Sequence, residues 1–168
     1  MKKIILVTGG QRSGKSAYAE RLALSLSGHP FYVATARVWD DEFRERVRRH
    51  QERRGPQWEN VEEERFLSRI ALEGRVAVID CITLWATNFL YELQDADRAL
   101  EAMKAEFDRF TQQEGTFIFV TNEIGSGGVS DNALQRRFTD LQGRINQYVA
   151  TQADEVMLMV SGIPVKIK

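Results

Sequence analysis

Residues Gly9, Gly10, Gln11, Arg12, Ser13, Gly14, Lys15 and Ser16 follow the pattern G-x-x-x-x-G-K-[ST] and come directly after the apolar run Ile-Ile-Leu-Val at 4–7. Glycines at these positions let the backbone curl so that its N–H groups and the start of a helix point at phosphate oxygens; Lys15 then bridges terminal phosphates and the Ser16 hydroxyl ligates Mg2+. A ligand-free Gly-rich turn is the competing role, and the strand-then-helix context favours phosphate binding. A metal in such a loop needs a carboxylate nearby, and Asp80, closing the apolar run Val-Ala-Val-Ile at 76–79, is the residue placed to supply it. The alternative for Asp80 is a helix N-cap or a turn. Thr121, Asn122 and Glu123, at the end of the run 117–120, open toward the same crevice and read equally as a turn or as groups that position a water or nucleophile.

Between residues 44 and 54 lie six arginines, Arg44, Arg46, Arg48, Arg49, Arg53 and Arg54, offset only by Glu45 and Glu52. A solvated helix face with i,i+4 pairing is the ordinary reading of such a run. Beside a phosphate loop, the planar guanidinium groups also suit a triphosphate or a phosphorylated acceptor. His50 falls in step with Phe43 and Val47, on the apolar side of this helix, so spacing alone reads it as a core histidine. Facing phosphates instead, a neutral imidazole could attack a nucleoside triphosphate and carry a covalent nucleotidyl group. His29, beside Pro30, reads as a surface residue. A GTPase reading is poor: no Asn-Lys-x-Asp run occurs, and the only Asp-x-x-Gly of interest, Asp140 to Gly143, lies within a helical pattern.

These residues need a frame that brings them together. Apolar runs at 4–7, 31–34, 76–80, 117–120 and 156–160 predict strands. Helices are expected over 16–27, from Asp40-Asp41 through His50, over 66–71, 84–93 and 97–113, and along the stripe Leu134, Phe138, Leu141, Ile145 and Val149, whose role is core packing. Gly162-Ile163-Pro164 turns the chain into a short segment at 165–167. Strands alternating with helices predict an α/β protein with a mostly parallel sheet covered on both faces, a P-loop NTPase arrangement in one domain over 1–168.

Composition narrows the partners. The 168 residues carry 23 Lys plus Arg against 24 Asp plus Glu, a formal charge of -1, so no global positive field exists to hold nucleic acid. No apolar run approaches the ~20 residues of a membrane helix, and the run after Lys2 and Lys3 is too short for a signal peptide. The single cysteine, Cys81, excludes an internal disulfide and fits a reducing compartment. The expected location is cytoplasmic.

An ordered set of motifs runs along essentially the whole chain: Gly9-Gly10-x-Arg12-Ser13-Gly14-Lys15-Ser16, Ala34-Thr35-Ala36, Asp41-Glu42 leading to His50, Asp80-Cys81-Ile82-Thr83, Val120-Thr121-Asn122-Glu123 and Ser161-Gly162-Ile163-Pro164. Together they resemble the bifunctional adenosylcobinamide kinase / adenosylcobinamide-phosphate guanylyltransferase family of cobalamin nucleotide-loop assembly. The resemblance implies a RecA-like fold, a homotrimer, Mg2+, and ATP and GTP as substrates. It implies phosphorylation of adenosylcobinamide, then GMP transfer from GTP to adenosylcobinamide phosphate through a guanylylated histidine, which falls on His50 and displaces the core reading. Where some relatives carry a second adjacent histidine, this sequence has Arg49. The same resemblance assigns nucleotide contacts to Gly9, Gly10, Gln11, Arg12, Ser13, Gly14, Lys15 and Ser16, to Ala34, Thr35 and Ala36, to Gln51, Glu52, Arg53 and Arg54, and to Glu62 and Asp80. Ser16 and Asp80 are the expected metal ligands, and Lys15 and His50 the catalytic pair. Two other readings compete: a monofunctional small-metabolite kinase with a structural His50, and a nucleotide-binding regulatory module whose Arg-rich helix docks a partner protein.

Overall fold

Alternation within the apolar runs decides which way each strand faces. In β1 (Lys2–Gly9), Ile4 and Leu6 enter one core while Ile5 and Val7 enter another, and none is more than 2% exposed. A strand buried on both faces belongs inside a parallel sheet. The computed structural model describes the backbone of residues 1–168 and every side chain except that of Arg46, so that member of the basic run lies outside the described side chains. Beside β1, the chain forms β2 (Phe31–Ala34), β3 (Glu59–Glu62), β4 (Val76–Asp80), β5 (Gly115–Val120), β6 (Glu155–Val160) and β7 (Ile163–Lys166). They form one sheet in the order β3-β2-β4-β5-β1-β6-β7, parallel except for the β6–β7 pair.

Helix α1 (Lys15–Leu26) covers one face through Ala19 and Ala23. Helices α3 (Ile82–Leu93), α4 (Ala96–Phe110) and α5 (Ala133–Gln152) cover the other through Trp85, Phe89, Leu100, Met103, Phe107, Leu141, Ile145 and Val149. On that side Phe107 and Phe110 meet Phe119 and Phe117, each pair 5.1 Å between ring centres. Helix α2 (Asp41–Arg54) links β2 to β3. Parallel strands share their carboxyl ends, so the loop after β1, the end of β2 and Asp80 all reach one edge of the sheet, where ligands bind in open α/β sheets. Among the described residues no helix is long and apolar enough to cross a membrane.

Three expectations are corrected. The helix over 66–71 is only a single 3-10 turn, Leu67–Arg69. Its backbone groups are taken by side chains: the neighbouring Glu63 accepts from the N–H groups of Arg65 and Phe66, and from farther along the chain Glu106 accepts from Ser68, while Gln113 accepts from Leu72 and donates to the Ile70 carbonyl. Leu134 is 65% exposed rather than core, because the packed part of α5 begins with Phe138. The final segment is a paired antiparallel strand. Ser161 (φ 50°) and Gly162 (φ 82°) make the two-residue turn of the β6–β7 hairpin, with both residues at positive φ. Strand β3 had no apolar signature, since its sequence is Glu-Asn-Val-Glu at the sheet edge.

Glu106 fastens the irregular segment to α4. It is 1% exposed, accepts from the Ser68 N–H at 2.7 Å, and pairs with Arg109 at 2.6 Å. Burial alone would raise its carboxyl, but the bonds from Ser68 and Arg109 outweigh burial and hold it below the usual range. A depressed carboxyl stabilises the fold above its unfolded pKa of about 4.3, and the gain is lost as pH falls through the folded value. Glu106→Gln is expected to lower the unfolding free energy by about 2 kcal/mol at neutral pH. Urea titrations at a series of pH values should show the gap between the two proteins closing on acidification.

Candidate functional site

The loop after β1 is shaped by contacts that only glycine permits. A Cβ on Gly9 would lie 2.7 Å from the Met159 carbonyl oxygen and 2.8 Å from Ser13 Oγ; one on Gly14, whose φ is +92°, would lie 3.2 Å from Gly162 Cα. The hairpin turn thus packs directly behind the loop, and the Gly162 N–H donates to the Ser13 carbonyl at 2.9 Å. Lys15, 7% exposed, folds back to donate from Nζ to the Gly10 carbonyl at 2.5 Å. Burial lowers its pKa and Asp80 opposes that. Ser13 Oγ is buried without a hydrogen-bond partner. An unpaired hydroxyl and an internally tethered lysine suit a loop whose partners are phosphate oxygens.

Asp80 follows from the same alternation that built the sheet. Val76 and Val78 face α1, and so does Asp80, beside Tyr32 of the neighbouring strand. Its Oδ2 accepts from Ser16 Oγ and from the Tyr32 hydroxyl, each at 2.6 Å. The helix-cap role falls instead to Cys81, whose Sγ accepts from the Leu84 N–H. Burial, reinforced by Asp80, pushes the Tyr32 hydroxyl far above its ordinary pKa, so it remains a donor. The Arg54 guanidinium lies 3.5 Å from the Tyr32 ring centre and is itself held by Asn60 at 2.9 Å. One carboxylate and one hydroxyl fit a hard divalent cation that completes its shell with phosphate oxygens and water.

Helix α2 supplies the opposite wall. Asp40 caps it by accepting from the Phe43 N–H at 2.7 Å, and Asp41 and Glu42 occupy its first turn. Phe43, Val47 and His50 share the face that lines a cavity of about 210 Å³, across from Ser16, Tyr32 and Asp80. His50 is exposed to this cavity, which overturns the core-histidine reading: Phe43 and Val47 form the approach to a hollow, not to a packed core. Ala34, Ala36, Arg53 and Arg54 also line it. Glu20 and Leu84 do too, and neither was expected from sequence, although Glu20 sits one helical turn after Ser16. Burial raises the Glu20 carboxyl, with Arg54 and Arg53 pulling the other way.

Other assigned residues lie elsewhere. Thr35 is fully buried behind the site; its hydroxyl donates to the Cys81 carbonyl at 2.7 Å and accepts from the Cys81 N–H at 2.8 Å, while its carbonyl accepts from Asn88. It ties β2 to the end of β4 through a fully buried side chain. Gln51 donates to Glu62 at 3.2 Å. Glu52 pairs with Arg48, and Arg48 and Arg49 pair with Glu45, so this part of the basic run is a solvated face. Gln11 and Arg12 are exposed on the outside of the loop. Glu123 takes the turn-forming role, accepting from the Gly125 and Ser126 N–H groups. Thr121 is buried and donates to Asn146.

A family profile described as cobinamide kinase / cobinamide phosphate guanyltransferase matches residues 5–167. The chain belongs to this family. It is 38% identical to the bifunctional adenosylcobalamin biosynthesis protein CobU of Escherichia coli (strain K12), covering 98% of this chain and 99% of that one. It is 37% identical to CobU of Salmonella typhimurium over the same shares, and 36% identical to CobP of Pseudomonas aeruginosa over 97% and 96%. Among solved structures, an ATPase from the type III secretion system of pathogenic bacteria superposes with a TM-score of 0.60 at 12% identity, over 93% of this chain and 50% of the ATPase. That likeness shows a P-loop ATPase type of fold for this cobinamide kinase / guanyltransferase family member.

The glycine contacts are directly testable. Gly14→Ala forces a side chain into left-handed backbone against Gly162 and is expected to cost about 2 kcal/mol of stability. It should also weaken GTP binding about ten-fold or more by shifting the loop's N–H groups. Urea unfolding and titration with a fluorescent GTP analogue check the two effects.

Proposed function

We propose that the chain phosphorylates adenosylcobinamide and then transfers GMP to the product, giving adenosylcobinamide-GDP and pyrophosphate. The observation that carries this reading is His50 opening onto the same cavity as Ser16 and Asp80. In the first reaction the acceptor hydroxyl oxygen attacks the γ-phosphorus of ATP or GTP, the bond to the nucleoside diphosphate breaks, and the hydroxyl proton leaves to water. Phosphoryl transfer asks the protein chiefly for position and charge, which Lys15 and the N–H groups of 9–16 supply. In the second, an imidazole nitrogen of His50 attacks the α-phosphorus of GTP, a P–N bond forms, and pyrophosphate leaves with the bridging electron pair. The phosphate of adenosylcobinamide phosphate then attacks that phosphorus and the P–N bond breaks, restoring the imidazole. Arg53 and Arg54, lining the same cavity, offset charge on the phosphates.

Ser16 and Asp80 would hold Mg2+, which when bound neutralises phosphate charge and orients the phosphates. The seven-stranded sheet with its phosphate loop on an interior strand supports a RecA-like arrangement in one domain over 1–168; the near-zero net charge supports work without nucleic acid, and the proposed setting is the cytoplasm. The contacts of the proposed homotrimer are assigned to β7: Ile163, Val165 and the following Ile167 alternate onto one face and are 65%, 48% and 60% exposed, which supports association through it.

Incubation with GTP labelled at the α-phosphate and Mg2+ tests the transferase. Acid-labile, alkali-stable label is expected on wild type and absent from His50→Ala; no label on a wild type that binds GTP would leave a monofunctional kinase. For assembly, Val165→Asp is expected to reduce the mass measured by light scattering from three copies to one.

A further inference from the structure

A corrinoid acceptor is far larger than the hollow that holds His50, whose volume is about 210 Å³. A second cleft, of about 1030 Å³, lies among the end of α3, the start of α4 and the first turns of α5. Helix α3 connects the two spaces. Leu84 lines the nucleotide cavity, while Thr87 and Tyr91 line the cleft, and residues spaced i, i+3 and i+7 form one stripe. At the helical rise, Leu84 and Tyr91 are only about 10 Å apart along the axis.

The cleft's chemistry differs from that of a phosphate site. Three carboxamides, Gln94, Asn132 and Gln135, and the Ser130 hydroxyl stand among Leu90 and Phe138. Its acidic groups are engaged within the protein: Asp95 caps α4 by accepting from the Arg98 N–H, and Asp97 pairs with Arg144 at 2.7 Å. Arg137 adds one positive charge to the lining, and the rest is a surface of amide donors and acceptors with apolar patches, suited to a large, amide-bearing ligand. Tyr91 is 55% exposed, yet its ring is fixed edge-on by Trp39 at 5.4 Å, with the Arg37 guanidinium 5.4 Å from its centre and anchored to Glu64. An exposed aromatic already held in place loses little freedom on binding.

We infer that this cleft is the acceptor subsite: it takes the carboxamide-fringed macrocycle of cobinamide, while the reacting arm passes Leu84 into the His50 cavity. This rests on the proposed activity. Steady-state kinetics with cobinamide and GTP, and equilibrium dialysis of cobinamide followed by its visible absorbance, test it on the whole protein. Tyr91→Ala and Gln135→Leu are each expected to raise the KM and Kd for cobinamide about ten-fold, a change of about 1.4 kcal/mol, with the KM for GTP within about two-fold. Tyr91→Phe should restore wild-type values, and light scattering should show unchanged assembly. A cobinamide KM that stays at the wild-type value in both variants, or that rises in parallel with the KM for GTP, overturns the subsite. A wild type that turns over no cobinamide overturns the activity beneath it, a result visible before any variant is made.

Discussion

A single carboxylate oxygen, Asp80 Oδ2, takes hydrogen bonds from Ser16 at the start of α1 and from Tyr32 in β2, each at 2.6 Å. Three elements distant in sequence are therefore registered against one atom. Tyr32 extends the registration outward, because its ring carries the Arg54 guanidinium from the end of α2 and meets Trp58 edge-on at 5.8 Å. Removing that carboxylate would leave the buried Tyr32 hydroxyl and the half-buried Ser16 hydroxyl without their acceptor and the wall bearing His50 without its inner support. Were Ser16 and Asp80 to hold Mg2+ as proposed, the ion would share this carboxylate with Tyr32. The packing of α2 would then be linked to that ion through Tyr32 and Arg54.

The site is layered. Ser16, Asp80 and His50 line the cavity; behind them Thr35 locks the end of β2 to Cys81, and Gly162 props Ser13 from the far side. This layering explains why motif residues adjacent in sequence have unlike roles. Ala34 and Ala36 line the cavity because they are small and face it, whereas Thr35 between them points the other way and spends its hydroxyl on backbone. Along α2, Arg53 and Arg54 face inward while Arg48 and Arg49 are occupied by Glu45.

Strong periodic signals were readable from residues alone. Strands β2 and β4 fall on the runs 31–34 and 76–80, and the phosphate loop and Asp80 stand where their flanking apolar runs require. What escaped notice lacked local signature. Strand β3 is held by pairing with β2 rather than by its own Glu-Asn-Val-Glu composition, and the 66–71 segment is bent by Glu106 of α4 and by Gln113 in the loop that follows it. His50 shows the limit of spacing arguments, since helical period states which residues share a face and not whether that face meets a core or a cavity. Glu20 was missed for a related reason: a charged residue on a helix reads as solvated until the opposite wall is known.

Strand β1 has β5 on one side and β6 on the other, and the loop that follows it is braced by the turn between β6 and β7. Synthesis proceeds from the N-terminus, so β1 must wait for partners that lie more than a hundred residues further along the chain. Until then it is an unpaired edge, apolar on both faces, of the kind prone to sticking to other chains. The nascent protein thus has its phosphate-binding loop written early and assembled last, which makes the interval before the final hairpin emerges its most vulnerable stage.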